Sequence, residues 1–261
     1  MMQSFRVVKS YLILLVILIF YAPTSLAQDP LPVSKQKETT LNLIISNVGL
    51  SENLLKMALE KLSPEVSLAF YPLGDETRKQ ISQAQKKGFE VFVLCPMEPV
   101  NYPQNDPGPN VLLTGIPSEE NVKRLESVIN TCTNCSGVVG FKGSLFTISE
   151  PDLKPILQYL DLKKIHFIDD GSTSRSLSPK LSTNSSQVTY IINTDNEKNS
   201  IHSVLAQIIQ DAPSTKKMTA ICDASFLSIE ILSEWVKTLK DKNIVLKHFI
   251  NSPLLNKNNG Q

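Results

Sequence analysis

The sequence contains few glycines, and its charges are nearly balanced. Its ten glycines are scattered along 261 residues, which excludes a glycine-rich loop that cradles phosphate. There is also no serine in the nucleophile-elbow pattern of the α/β-hydrolases. Lysine and arginine number 26 against 25 acidic residues, so nucleic acid is not an expected partner.

Histidine is scarcer still, with only His166, His202 and His248. His166 falls within a predicted strand, His202 early in a predicted helix, and His248 near the end of the last predicted strand. Their spacing gives no shared face, so the histidines by themselves do not predict a metal site.

Cysteine is also sparse, at four residues, and the spacing of two of them matters. Cys132 and Cys135 have the spacing of a redox motif, but that motif needs to follow a strand and open a helix. Here the pair ends a helical pattern and precedes a strand, which favours a local structural disulfide or two free thiols over thiol-based redox chemistry. No second cysteine or histidine pair has zinc-finger spacing.

A single long apolar run is present, at residues 11–22. It follows Arg6 and Lys9, is broken by Pro23, and leads to a small-residue cleavage pattern that ends at Ala27. These features predict a signal peptide over residues 1–27 and a periplasmic or secreted location. The run is shorter than the roughly 20 residues of a membrane-spanning helix, although an uncleaved anchor, which would be the only membrane contact, is the alternative.

The remaining chain has three predicted parts: a polar linker over residues 28–40, one folded domain over residues 41–255, and a tail over residues 256–261. Short, β-branched runs within the domain indicate strands that are covered on both faces. These predicted strands cover residues 41–45, 66–70, 91–94, 138–141, 165–168, 188–192, 219–222 and 244–249.

Amphipathic helical patterns alternate with these strands. They cover residues 51–62, 76–87, 118–130, 150–160, 198–209 and 229–240. Repeated strand-then-helix units predict an α/β fold, an irregular (β/α) barrel with seven or eight parallel strands. Functional residues of such a barrel lie at the carboxyl ends of its strands.

Polar residues follow several of the predicted strands, and we take them as candidates for a cleft. The candidates are Ser46, Asn47, Cys95, Glu98, Lys142, Asp169, Asp170 and Asp223; Asn193 and Thr194 also follow a predicted strand. The segment over residues 96–114 is longer than an ordinary strand-to-helix turn, and loops of this length are usually lids or binding loops.

Read in order, these strand ends resemble the divergent polysaccharide deacetylase family of bacterial envelopes. The resemblance rests on SNVGLS at 46–51, VSLAFYP at 66–72, PMEP at 96–99, DPGP at 106–109, LLTG at 112–115, GS at 143–144, FIDDGS at 167–172 and RS at 175–176. It extends over almost the whole of residues 41–255 and implies a barrel related to the carbohydrate deacetylases.

The resemblance also implies metal-assisted chemistry, in which a divalent ion activates a water that attacks an acetyl carbonyl. Where many members have a pair of aspartates after the first strand, this chain has Ser46 and Asn47. Where many have histidines, it has Cys95, Phe141 and Asp223. The expected metal ligands are therefore replaced, no metal site or cofactor is predicted, and zinc or another divalent ion is implied only if the chain is an active deacetylase.

Three remaining carboxylates are the catalytic candidates, each with a structural alternative. Asp169 and Asp170 could act as bases, or Asp170 could start the turn at Gly171 and cap the following backbone amides. Glu98 could face a sugar, or it could pin its loop through backbone amides.

Two further positions also have open alternatives. Cys95 and Cys222 could form a replacement zinc site with Asp223, pair as a disulfide if their strands adjoin, or be small buried residues. Lys142 could hold an anionic group of a glycan or simply be solvated.

These observations lead to two functional hypotheses. The first is an exported, catalytically degenerate deacetylase-like protein of the cell envelope that binds a glycan or a protein partner. The alternative is an active carbohydrate or peptidoglycan deacetylase with an unusual site that uses Asp169, Asp170 or Glu98.

Overall fold

A computed structural model describes residues 38–192 and 197–249. The predicted signal peptide, residues 28–37 of the predicted linker, Asn193, Thr194 and the predicted tail lie outside the described residues. Within those ranges, no helix is both long enough and apolar enough to cross a bilayer.

The described chain alternates strands and helices, as predicted. The strands are β1 (Thr39–Ser46), β2 (Ser67–Phe70), β3 (Glu90–Pro96), β4 (Gly137–Phe141), β5 (His166–Asp169), β6 (Ser185–Gln187), β7 (Tyr190–Ile192), β8 (Lys217–Asp223) and β9 (Ile244–Leu246). The α-helices are α1 (Glu52–Lys61), α2 (Asp75–Lys86), α3 (Ser118–Ile129), α4 (Glu150–Leu162), α5 (Ser178–Leu181), α6 (Lys198–Asp211) and α7 (Phe226–Trp235).

All the strand pairings are parallel, in the order β6-β5-β4-β3-β2-β1-β8-β7. The last strand, β9, pairs with the amino-terminal residues Thr39–Leu41 of β1, whereas β2 pairs with the carboxyl-terminal residues Ile44–Ser46. The predicted α/β barrel-like fold with parallel strands is confirmed.

The two edges of the sheet are successive parts of one extended segment. β6 pairs with β5, and β7, which begins after only Val188 and Thr189, pairs with β8. Between them, Val188 N–H donates to Asp169 C=O over 2.9 Å, and Thr189 N–H donates to Thr219 C=O over 2.8 Å. Because one segment bonds to both ends of the sheet, the sheet is curled.

Alternate strand residues pack on opposite sides of the curled sheet. Ile44, Leu94 and Ile168 belong to an apolar cluster inside the curl. Leu43 and Ile45 belong to a cluster that includes helix residues on the outside. Each such buried side chain stabilises the fold by about 1.5–3 kcal/mol, which explains why the predicted strands are apolar on both faces.

The differences from the predicted elements have local causes. β1 begins at Thr39, two residues before the predicted strand, because Thr39 N–H bonds to Asn243 C=O. α7 begins at Phe226, three residues early, because Ser225 and Ser228 form a reciprocal capping box. Near the end of α3, Cys132 and Cys135 form a disulfide with their Cα atoms 5.7 Å apart.

Candidate functional site

The carboxyl ends of β1 and β8 bring three candidate residues together. Ser46 lies directly opposite Asp223 in the register of the two strands. The Ser46 hydroxyl donates to Oδ1 of Asp223, and Asn47 Nδ2 donates to the same oxygen over 3.1 Å. Ser46 and Asn47 therefore hold one carboxylate through two neutral donors.

The side-chain oxygen of Asn47 is available for a further hydrogen bond. Its backbone has φ 60°, in the left-handed region that asparagine adopts more readily than most residues. Its Oδ1 atom is buried and has no hydrogen-bond partner among the described residues. A buried acceptor without a partner costs about 1–3 kcal/mol, so this oxygen is suited to accept a hydrogen bond from a ligand.

Cys95 and Cys222 do not belong to the cleft, which corrects the prediction for Cys95. Cys95 is fully buried in the cluster between the sheet and helices α3 and α4, and Cys222 packs in the other outer cluster. β1 and β2 lie between their strands, so the two free thiols form neither a disulfide nor a zinc site with Asp223. Burial raises the pKa of both thiols, that of Cys222 to about 12.

Phe141 and Lys142 lie at the carboxyl end of β4. The Phe141 ring packs edge-on against Tyr71, with the ring centroids 5.9 Å apart. Lys142 Nζ lies 5.4 Å from the centroid of Phe141 and donates to Asn105 Oδ1 over 3.1 Å. The ammonium group of Lys142 is thus hydrogen-bonded to the long loop, and it forms no ion pair with a carboxylate in the part of the chain that the structure describes.

The long loop reaches back to the end of β2. Tyr71 donates its hydroxyl to the carbonyl of Pro107, and Asp106 Oδ1 accepts from Gly108 N–H over 2.8 Å. Gly108 has φ 106°, and a Cβ there would come within 2.0 Å of the Tyr71 hydroxyl. Burial, with a smaller contribution from Asp106, raises the pKa of Tyr71. The DPGP turn therefore packs against a strand end that borders the cleft.

Glu98 anchors both ends of this loop. Its Oε2 atom accepts the N–H of Thr114 over 2.6 Å and the Thr114 hydroxyl over 2.7 Å. Its backbone N–H donates to Leu112 C=O, and its own carbonyl accepts from Leu145 and Phe146. Of the two interpretations of Glu98, the contacts match the structural one, in which it pins the loop.

Asp169 is fully buried, and donors of the protein surround it. Its Oδ1 accepts the N–H of Gly171 over 2.9 Å. Its Oδ2 accepts the hydroxyls of Ser176 and Ser178, the latter over 2.7 Å. A carboxylate with three such donors and no exposed surface is a structural centre of the β5–α5 connection rather than a base within reach of a substrate.

Asp170 is half-buried and bridges two strand ends. Its Oδ1 accepts Ser172 N–H over 2.9 Å, and its Oδ2 accepts Lys142 N–H over 2.7 Å. The predicted turn-capping contact with Ser172 is thus present. Burial raises the pKa of Asp170, and the hydrogen bonds from Ser172 and Lys142 oppose that shift.

The residues present do not fit a divalent ion of the kind that metal-assisted deacetylation uses. Such an ion needs about three carboxylate, imidazole or thiolate ligands. In the described parts of the chain, no three side chains of these types are grouped closely enough to hold one. The cleft instead contains a hydroxyl at Ser46, an amide at Asn47 and an aromatic ring at Phe141, with the carboxylates of Asp223 and Asp170 at separate strand ends.

Exposed apolar side chains surround the same end of the sheet. Leu50, Leu73, Val100 and Phe226 follow β1, β2, β3 and β8, and each is more than half exposed. These four strands are neighbours in the sheet, and we call the four residues that follow them the apolar rim. Exposed apolar residues that gather on one face often mark a binding surface.

Several residues of this region were not predicted from the sequence. Tyr71 carried one signal, because it is an aromatic residue at the end of a strand. Thr114 and Ser176 fall in the LLTG and RS motifs of the resemblance, but no local pattern pairs them, or Ser178, with the carboxylates that they contact. The apolar rim could have been noticed as large apolar residues that directly follow strands.

Comparison with known proteins agrees with these observations. The family model described as divergent polysaccharide deacetylase matches residues 43–249. An uncharacterised protein of Agrobacterium tumefaciens is 26% identical in a structural match with a TM-score of 0.77, which covers 83% of this chain and 90% of that one. No curated protein sequence matches this chain.

A second solved structure shares only the fold. It is a protein of Enterococcus faecalis for which cellobiose-phosphate cleavage has been suggested, and it is 10% identical to this chain with a TM-score of 0.60. The match covers 81% of this chain and 98% of that one.

Proposed function

We propose that this chain, which belongs to the divergent polysaccharide deacetylase family, is an exported envelope protein that binds a glycan without hydrolysing it. The binding site would be the carboxyl end of the barrel, between Asn47 and Asp223 on one side and the long loop on the other. The signal-like segment at residues 1–27 supports export to the periplasm or beyond.

The observation that carries the proposal is the state of the remaining carboxylates. Asp169 is fully buried and bonded to three donors, and Glu98 is bonded to Thr114. A general base has to reach the water or substrate proton that it removes, within about 3 Å or through one water. Neither of these carboxylates is presented in that way, and the described residues include no group of three side chains that could hold a metal ion.

The polar groups that remain suit a glycan. Asn47 Oδ1 has no donor within residues 38–192 and 197–249, and Asp223 is an exposed carboxylate that its neighbours hold in place. Sugar hydroxyls are donors for both groups, and the apolar faces of sugar rings can pack on the apolar rim. An envelope protein is the other partner class that the rim would accept, and competition by a soluble glycan separates the two.

A binding assay tests the proposal. The exported protein is titrated with the N-acetylglucosamine tetrasaccharide and with purified peptidoglycan, with and without a chelator. Binding that survives chelation and is lost in Asn47→Gly supports the proposal, because glycine adopts the same positive φ without the side chain. The matched control is Asn134→Gly, which changes another asparagine with φ 60° outside the site. Absence of binding to both glycans contradicts the proposal.

An active deacetylase is the second candidate, and one observation favours it. Burial raises the pKa of Asp170, which moves this half-buried carboxyl towards the range of a general base. Deacetylation would form a bond from water to the acetyl carbon, break the bond from that carbon to the sugar nitrogen, and release acetate and a free amine. Acetate release from the tetrasaccharide, abolished by Asp170→Asn, would establish this function in place of simple binding.

A further inference from the structure

A second polar region lies at the opposite, amino-terminal end of the barrel. Asn42 of β1 is 1% exposed, and its Nδ2 donates to the carbonyl of Lys247 over 2.6 Å. Its Oδ1 atom has no hydrogen-bond partner among the described residues. This buried oxygen can accept a hydrogen bond from an O–H or N–H group of a ligand, and an unpaired buried acceptor is unfavourable.

Asn42 lines a cavity of about 420 Å³, which we call the amino-end cavity. The segment that follows β9 forms one of its walls. Phe249 N–H donates to Glu90 Oε2 over 2.9 Å, and the Phe249 ring packs edge-on against Phe92 with the centroids 5.5 Å apart. His248 binds the carbonyl of Pro64 over 2.6 Å. Contacts to β3 and to Pro64, which lies just before β2, therefore hold this wall in place.

The charge of the amino-end cavity is strongly one-sided. Lys216, Lys217 and Lys247 line it, against the single carboxylate of Glu38. Glu38 lies 3.8 Å from Lys247, and among the described residues no carboxylate lies within ion-pair distance of Lys216 or Lys217. Lys217 Nζ lies 5.5 Å from the Phe249 ring centroid, which directs it over the aromatic wall. A ligand that enters here meets two ammonium groups, those of Lys216 and Lys217, that form no ion pair with the described residues.

We propose that the amino-end cavity is a second ligand site, specific for a small anionic sugar. The carboxylate or phosphate of the ligand would pair with Lys216 and Lys217, and a ligand hydroxyl would donate to Asn42 Oδ1. Phe249 would contact the apolar face of the ring. The cavity volume lies within the range of about 300–1,000 Å³ that is usual for small-molecule sites. The site stands apart from the cleft and does not depend on the function proposed for it.

The test is a titration of the exported protein, followed by amide NMR, with four probes. D-glucuronate and glucose 6-phosphate carry both the anion and the hydroxyls, glucose lacks the anion, and acetate lacks the ring hydroxyls. Both anionic sugars are expected to bind about tenfold more tightly than glucose or acetate, the difference that roughly 1.4 kcal/mol produces. Preference for one of the two identifies carboxylate or phosphate as the anion. Equal affinity for acetate and glucuronate, or no binding at all, overturns the proposal.

A pair of variants locates the binding. Lys216→Gln/Lys217→Gln is expected to weaken glucuronate binding about tenfold, because it removes both cationic partners of the ligand's carboxylate. The control, Lys56→Gln/Lys242→Gln, removes two exposed lysines outside the cavity and is expected to leave the affinity unchanged. Equal weakening in both double variants would show a nonspecific charge effect and overturn the proposal.

Discussion

The carboxylate of Glu98 accepts both the N–H and the hydroxyl of Thr114, which lies sixteen residues further along the chain. These two contacts join the two ends of the long loop that packs beside the cleft. They give Glu98, the glutamate of the PMEP motif, a structural role that is independent of catalysis.

Removing the Glu98 carboxylate is expected to loosen the loop. Glu98→Ala should lower the free energy of unfolding by about 2 kcal/mol, because hydrogen bonds to a charged group contribute roughly 1.5–3 kcal/mol. Urea unfolding measures this loss, and limited proteolysis within residues 99–113 should become faster. Glu119→Ala, at an exposed position of α3, is the control with little expected effect. Equal stabilities of the two variants would show that Glu98 does not pin the loop.

Gly108 and Tyr71 should be energetically coupled. A Cβ at Gly108 would come within 2.0 Å of the Tyr71 hydroxyl, whereas a Cβ at Gly115, which also has positive φ, would meet no atom within 4 Å. Gly108→Ala should therefore cost more than Gly115→Ala, whose strain alone is about 1–2 kcal/mol. In a Tyr71→Phe background the extra cost should fall, which a double-mutant cycle measures. Additive effects would contradict the close approach.

Asp169 is expected to be essential for stability. Asp169→Asn leaves the donors of Gly171, Ser176 and Ser178 without a full set of acceptors in a buried position, at a cost of about 2–3 kcal/mol. The control is Asp75→Asn, which changes an exposed ion pair worth about 0–1 kcal/mol. Chemical denaturation of both variants checks the difference. If Asp169→Asn lowers the free energy of unfolding no more than the control does, the structural role of Asp169 is contradicted.

The raised pKa of Asp170 predicts the sign of a pH dependence in the free energy of unfolding. Its pKa is raised above the ordinary value of 3.8, so the folded state holds the proton more tightly than the unfolded state does. Stability then falls as pH rises from the ordinary value through the folded-state pKa. Asp170→Asn lacks this dependence, so the stability difference, wild type minus variant, should decrease as pH rises. Urea unfolding between about pH 3.5 and 7 checks this, and an increase with pH would contradict it.

The fold was largely predictable because its strands carry a strong local signal. Runs such as Leu43, Ile44 and Ile45 are apolar on both faces, and helices alternate with them, which leaves few arrangements other than a parallel curled sheet. β6 was missed because Ser185–Gln187 is polar and forms a strand only through its pairing with β5. Its role in joining the two sheet edges is a long-range property with no local pattern.

The site was less predictable because the direction of each side chain matters. The positions of Ser46, Asn47 and Asp223 followed from the rule that functional groups gather at carboxyl strand ends. Cys95 also lies near a strand end, but the alternation of the strand turns it outward into the helix layer. The partners of Asp169 and Glu98 depend on how turns and loops close in space, which a single sequence does not specify.

Metal content, measured together with glycan binding, tests the proposed loss of catalysis most directly. The purified protein should contain well below one zinc or similar ion per chain. Its binding to the N-acetylglucosamine tetrasaccharide should persist in chelator, without acetate release. About one ion per chain, as in a catalytic zinc site, lost in Asp223→Ala together with acetate release, would contradict a metal-free binding role and establish an active deacetylase.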